Sequence, residues 1–430
     1  MKQIRKQLVI FLLIMSYQLM AVNLPENSDE KHMGVATCSS GVCHGQSVEN
    51  TNENVMMNEY RVWLSEDDHS GAYKTLLKAS SKKMAKKLGL ASAHTAKICL
   101  DCHADNVPKE KRGKKFQISD GIGCEACHGG AENWLSDHKE DGATHEKNIS
   151  LGLYPSEKPR DRANLCLSCH LGTKNKFATH RIMGAGHPRL SFELESFTQN
   201  QPAHYKVDAD YEKRKGSIRS VNMWITGIIF KAKEQLRLLQ SNQFKQHGLF
   251  PELSFYECHS CHRAMVPSRY PIEPLSNNIA PGSVRLDDAA LVVLTSVLDS
   301  LAIAQSSDLK SEIKQLHIAS TKDKNSVVET AKKIILILDS FSNDLIDKKY
   351  TVVQKKAFRK KLLLDASNGK FRDYSSAEQV FSAVETISID LKDDGKHMKL
   401  LDKLYATLEY EDKYYPDQFK VVTKLLLNTL

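Results

Sequence analysis

Gly-Ile-Gly-Cys-Glu-Ala-Cys-His-Gly-Gly, residues 121–130, places two cysteines three positions apart and a histidine directly after the second. The arrangement recurs along the chain. Cys38 and Cys43 precede His44, Cys99 and Cys102 precede His103, Cys166 and Cys169 precede His170, and Cys258 and Cys261 precede His262. With Cys124, Cys127 and His128, these five motifs absorb all 10 cysteines of the 430-residue chain. Four read Cys-x-x-Cys-His. The first carries Ser39, Ser40, Gly41 and Val42 between its cysteines, and Gly41 is expected to give the wider loop its backbone freedom.

The spacing has a mechanical reason. On a helical turn, residues three apart share one face. Two thiols there reach the two vinyl groups of one porphyrin as thioethers, and the adjacent histidine projects under the ring as proximal iron ligand. Zinc would need four ligands per ion, and thioredoxin-like pairs normally occur singly. The sequence therefore predicts five covalent haem c groups, with His44, His103, His128, His170 and His262 as proximal ligands.

The first residues fit an exported protein. Lys2, Arg5 and Lys6 precede an apolar run, Leu8 to Met15, and a polar stretch begins at Asn23. Residues 1–21 are expected to be a signal peptide, although Leu19 and Ala21 make an imperfect cleavage site. Export, most simply to the periplasm and otherwise to the cell surface, would make five disulfides the default for ten cysteines. The histidine after every pair argues against that default. Retention of the leader would tie the chain to a membrane.

Composition is ordinary for a globular protein, with 41% hydrophobic and 26% charged residues. The formal charge of +8 falls to +5 without the leader. Five haems, each with two propionates set against one net positive charge on ferric iron and none on ferrous, would contribute about −5 when oxidised and about −10 when reduced. A holoprotein near neutrality does not support nucleic-acid binding. The basic run Lys109 to Lys115 is read as a solvated loop, or as a partner for propionates or an acidic redox protein.

The fold class expected is mainly α. Residues 22–280 form a multihaem domain of short helices and long loops, and residues 281–430 a haem-free helical bundle, with the composition change at Pro281 and Gly282. Helices are predicted at Tyr73 to Leu88 and Ser220 to Leu239, packing on haem faces or each other. Seven amphipathic helices are predicted near 287–304, 308–319, 326–346, 352–366, 376–391, 395–408 and 416–428. Ser326 with Glu329 and Ser375 with Glu378 have capping-box spacing. The bundle is expected to brace the haem domain, pair with a second copy or dock a partner.

The sixth iron position decides between electron transfer and substrate chemistry. Of 17 histidines, 12 are not proximal, and 10 of these lie between His32 and His259. Here the chain resembles the tetrahaem cytochrome c-554 family. The resemblance runs from Cys38 to His170, through Trp-Leu-Ser-Glu-Asp-Asp-His-Ser-Gly-Ala-Tyr (63–73), Cys-Leu-Asp-Cys-His (99–103), the 121–130 stretch, Ser-Asp-His (136–138) and Cys-Leu-Ser-Cys-His-Leu (166–171). It implies that His69 closes the haem of His128, that His138 closes that of His44, and that the His103 haem is open, a candidate catalytic site. The fourth haem takes a downstream histidine in that family; His187, flanked by glycines, is favoured over His180 and His204. His180 is assigned to the fifth haem, which the family lacks. His32, His94 and His145 are spare, and His259, His317 and His397 are expected at the surface.

The leading function expected is a carrier passing electrons between redox partners. The rival is an oxidoreductase acting on a small nitrogen or sulfur oxyanion, or a hydroxylamine-type substrate, at an open haem. Pentahaem nitrite reductases mark such a site with a lysine in place of the histidine, and all five motifs here end in histidine. A haem-bearing structural protein is the third class.

Overall fold

The computed structural model describes residues 23–51, 55–217, 219–242, 251–262 and 283–430. The leader and the Pro281–Gly282 junction lie outside these residues. The chain is mainly α; among the described residues, β pairing is limited to isolated bridges at His32–Arg112 and Tyr256–Leu286. No described helix is long and apolar enough to cross a membrane.

The N-terminal half is built from short helical pieces. The helix predicted over Tyr73 to Leu88 is two, Ala72–Thr75 and Ala79–Leu88. At the break, Ser81 Oγ donates to the Thr75 carbonyl at 2.6 Å, satisfying an acceptor that helix continuation would have used. The segment ahead of the first motif is pinned from the side. Buried Glu125 accepts from the N–H groups of Met33 (2.7 Å), Gly34 (2.6 Å) and Ala131 (2.8 Å). His32, fully buried, donates from Nδ1 to Asp105 at 2.7 Å.

The seven predicted C-terminal helices are Ala289–Ser300, Gln305–Ser320, Lys324–Asp347, Val352–Ser367, Tyr374–Asp390, Asp394–Ala406 and Pro416–Leu427. Their caps differ from expectation. Asp323 and Asp373 hold the N-termini of two of these helices, accepting from the Ser326 and Ser376 N–H groups. A carboxylate three residues ahead of those N–H groups is a better acceptor than a serine hydroxyl inside the first turn. The capping box sits instead at Thr351 and Gln354. Thr351→Ala is expected to cost about 1 kcal/mol, read as a lowered denaturation midpoint.

The helix Ser220–Gln240 does not pack mainly on haem faces. Its Trp224, Ile225, Ile228, Ile229 and Leu236 enter the same core as Leu294, Leu338 and Phe358 of the later helices. Fourteen of its residues are buried, so only a surround of helices satisfies it. Asn222 ties it down further, donating from Nδ2 to the carbonyls of Ile346 (2.6 Å) and Lys348 (2.8 Å). One core therefore spans the composition change. His317 and His397 are buried in this half, not at the surface. His317 Nε2 bonds Asp288 at 2.8 Å and His397 Nδ1 bonds Thr429 at 3.2 Å; polar partners make burial tolerable.

Candidate haem-ligand site

Each motif forms a tight helical turn. The helices Lys97–His103, Cys124–His128 and Pro159–His170 all end on the motif histidine. In the fifth motif, Glu257 caps a 3-10 turn, accepting from His259 N–H at 2.8 Å and Ser260 Oγ at 3.1 Å. The first motif folds its longer insert by bonds from Cys43 N–H and Gly45 N–H to the Ser40 carbonyl. Gly41 is exposed and uncrowded. Gly45 is the constrained glycine, because a Cβ there would sit 2.0 Å from the Ser39 carbonyl oxygen. None of the ten cysteines is in a disulfide.

Five pairs of imidazoles face one another, and each contains one motif histidine. Ring centres are 6.3 Å apart for His44 and His138, 6.3 Å for His103 and His187, and 6.1 Å for His128 and His204. They are 6.1 Å apart for His170 and His69, and 6.0 Å for His262 and His180. An imidazole–metal bond is about 2 Å long, so two rings on one metal, each offset from its nitrogen to its centre, stand about 6 Å apart. The spacing fits an iron between each pair. Among the described residues no three His, Cys, Asp or Glu side chains converge on one point, as an all-protein metal site would require. Two axial nitrogens and a thiol pair alongside are the donor set haem c needs. Trp134 Nε1 is buried without a partner beside His138, where a propionate oxygen would be an acceptor.

The partners differ from those the resemblance implied. His138 faces His44 and His180 faces His262, as read from the sequence. His69, however, faces His170, and the ring opposite His128 is that of His204. His187 faces His103, the site expected to be open. Local geometry explains the shifts. Ile122 N–H bonds the His69 carbonyl at 3.1 Å, and Gly121 (φ 76°) packs where a Cβ would sit 2.8 Å from that oxygen, fixing the His69 backbone beside the third motif. The His69 ring then reaches the neighbouring fourth. Gly186, at φ 124° and packed against Met84, turns the chain after the helix His180–Ala185, and His187 then faces His103. The spare histidines have other partners: His145 bonds Glu157 at 2.9 Å and His94 lies against Tyr73. His259 is half-enclosed, stacked on Tyr414 and edge-on to Tyr374.

Residues 37–129, which contain the first three motifs, match the family described as cytochrome c554 and c-prime. This segment is cytochrome c-554-like. Cytochrome c-554 of Nitrosomonas europaea is 38% identical over 79 residues, 16% of this chain and 33% of that protein. The chain thus matches about a third of its curated relative's length. No solved structure matches it significantly. The family implies covalently bound haem c, consistent with the donor set above.

The c-554-like motifs contact their neighbours out of sequence order. Cys38 lies within hydrogen-bonding reach of Cys124, and Cys102 of Cys169. Cys127 is within electrostatic range of Cys166 and Cys169. His180 and His187 flank one short helix and face the fifth and second motif histidines. These approaches put the first motif beside the third, the third beside the fourth and the fourth beside the second. Burial pushes His128 down to about 3, with the facing His204 adding to the effect, and burial with His69 pushes His170 down to about 4. Both rings are neutral at physiological pH and keep a nitrogen lone pair for a metal.

The outer nitrogens are also held. His103 Nδ1 lies 3.2 Å from both Thr75 Oγ1 and the Ala72 carbonyl, His138 Nδ1 3.2 Å from the Trp134 carbonyl, and His187 Nδ1 2.8 Å from the Pro188 carbonyl. His44 Nδ1 instead meets Glu59 Oε2 at 2.9 Å, and His69 Nδ1 meets Asp67 Oδ1 at 2.7 Å. Burial pushes the Asp67 carboxyl up, but hydrogen bonds from His69 and Gln201 outweigh it and hold its pKa at about 2. Sequence reading missed both carboxylates. Asp67 had a legible signal, an Asp two residues before a ligand histidine; Glu59, fifteen residues after His44, had none.

Proposed function

We propose that this chain is an exported c-type cytochrome with five haems, each iron held between two imidazoles, and that it carries electrons between redox partners without turning over a substrate. The five facing imidazole pairs carry the reading, above all His187 opposite His103, which occupies the position an open-site enzyme would leave free. Haem iron with two imidazole ligands takes up and gives back one electron with little rearrangement. The protein's part is to fix the rings through their Nδ1 partners, to anchor the cysteines on short turns, and to bury the ligands away from water. The leader supplies the export signal, and the helical bundle braces the fifth motif. Donor and acceptor are redox proteins outside the chain.

The test is a haem count and a spin count on the purified protein. Five pyridine-haemochrome equivalents per chain are expected, with only low-spin ferric signals that nitrite, hydroxylamine and cyanide leave unchanged. A high-spin signal that shifts with any of them would favour the oxidoreductase reading. The ligand pairs are tested separately. His69→Ala and His204→Ala are each expected to convert one low-spin site to high-spin, and the double variant two. If both rings served one iron, the double variant would convert only one.

A further inference from the structure

We propose that Glu59 and Asp67 are positioning residues that set two of the five sites apart as the harder ones to reduce. The proposal rests on the imidazole-pair reading above and adds a division among the pairs. Of the ten facing rings, His44 and His69 are the two whose outer nitrogen meets a carboxylate among the described residues, at 2.9 and 2.7 Å. His103, His138 and His187 meet neutral oxygens instead. A carboxylate draws the Nδ1 proton further from the ring than a carbonyl does, and the ring becomes a stronger donor to its metal. A richer donor and a nearby negative charge both favour the ferric state. Each reduction adds one electron, ferric to ferrous, with the Nδ1 proton staying in place.

Both carboxylates are built in. The Glu59 side chain is 16% exposed and that of Asp67 6%, so water screens them weakly. Glu59 Oε1 accepts from the Met57 N–H at 3.1 Å, and Met57 stands at φ 61°, a conformation a non-glycine residue rarely adopts. Asp67 Oδ1 also accepts from the His69 N–H at 3.0 Å, and its Oδ2 from Gln201 Nε2 at 3.0 Å. The Gln201 bond spans 134 residues and serves no local turn. The two sites belong to the first and the fourth motif, which both lie beside the third.

The experiment is a dithionite titration of the full holoprotein followed optically and by EPR. In the unsubstituted protein, two of five one-electron steps are expected at lower potential than the other three. Glu59→Gln should move one step to higher potential and Asp67→Asn a different one, with the other four unchanged and all sites still low-spin. Gln201→Ala leaves Asp67 in place but removes its competing donor, so it should move the Asp67 step the opposite way. That sign separates tuning from general loosening of the fold. The proposal is overturned if neither carboxylate variant moves a step, if all five steps move together, or if the moved step goes to lower potential. A high-spin signal in the unsubstituted protein counts against the imidazole pairing; confined to sites other than His44 and His69 it leaves the carboxylate result to be read as stated, and at either of those two it overturns both.

Discussion

His187→Ala is expected to turn one of the five low-spin sites high-spin, to make that site responsive to cyanide, and to leave four sites as they were. The ring of His187 stands 6.3 Å from that of His103, and among the described residues no other imidazole faces His103. The change is all-or-none because a ligand is lost, not weakened. Its neighbours hold the position well enough that collapse is not the expected outcome. Thr179 caps the preceding helix, its hydroxyl accepting from the Ile182 N–H at 3.4 Å, and the His180 N–H donates to Glu252 at 2.7 Å. Gly186 makes the turn whether or not an imidazole follows it. EPR of the oxidised variant gives the count, and absorbance with added cyanide shows access. A variant with five unchanged low-spin signals would mean that another group, not His187, lies on the His103 iron.

The second large effect concerns Glu125, which lies between the cysteines of the third motif and is not one of the facing imidazoles' hydrogen-bond partners among the described residues. Glu125→Ala is expected to destabilise the haem-bearing half by about 3–5 kcal/mol, since it strips the acceptor from three largely buried backbone N–H groups at once. Those groups belong to Met33, Gly34 and Ala131, so the loss falls on the segment leading into the first motif. Burial raises the Glu125 pKa and its three backbone bonds oppose that rise, as expected of a structural carboxylate. A lowered thermal midpoint and new proteolytic cleavage near residues 31–34 would show the effect. Glu125→Gln keeps one acceptor oxygen and should lose less. Equal stability of both variants and the parent would show that water replaces the carboxylate without cost.

What could be read beforehand follows the range of the forces involved. The motif cysteines and histidines were legible because the pattern is confined to five or seven consecutive residues. The seven C-terminal helices were legible because amphipathic period is also local, and each was found within a few residues. The facing rings were harder, since they are set by tertiary approach. His138 and His180 were paired from the sequence as the structure pairs them. The ring of His69, read as the partner of His128, faces His170, because the third and fourth motifs lie side by side and its backbone is fixed beside one while its ring turns to the other. The first-turn serines were misread as caps because Asp323 and Asp373 compete better for the same N–H groups. The central place of Ser220–Gln240 was missed because its helical-period stripe shows that a face is buried, not against which elements. A period reveals a face but not the partner that covers it.

The turn after His187 leads directly to Arg189, whose guanidinium bonds Glu411 at 3.1 Å and Glu378 at 3.3 Å, both in the last sixty residues of the chain. Nearby, His259 of the fifth motif is stacked on Tyr414 and edge-on to Tyr374. Two sites whose own residues are made earlier are thus fastened by residues made last. An emerging chain carries its cysteines and histidines in the order of synthesis, while the residues that contact Arg189 and His259 are synthesised last. A truncation before Tyr374 would keep every thiol and every facing imidazole and still lack the clamp that seats them.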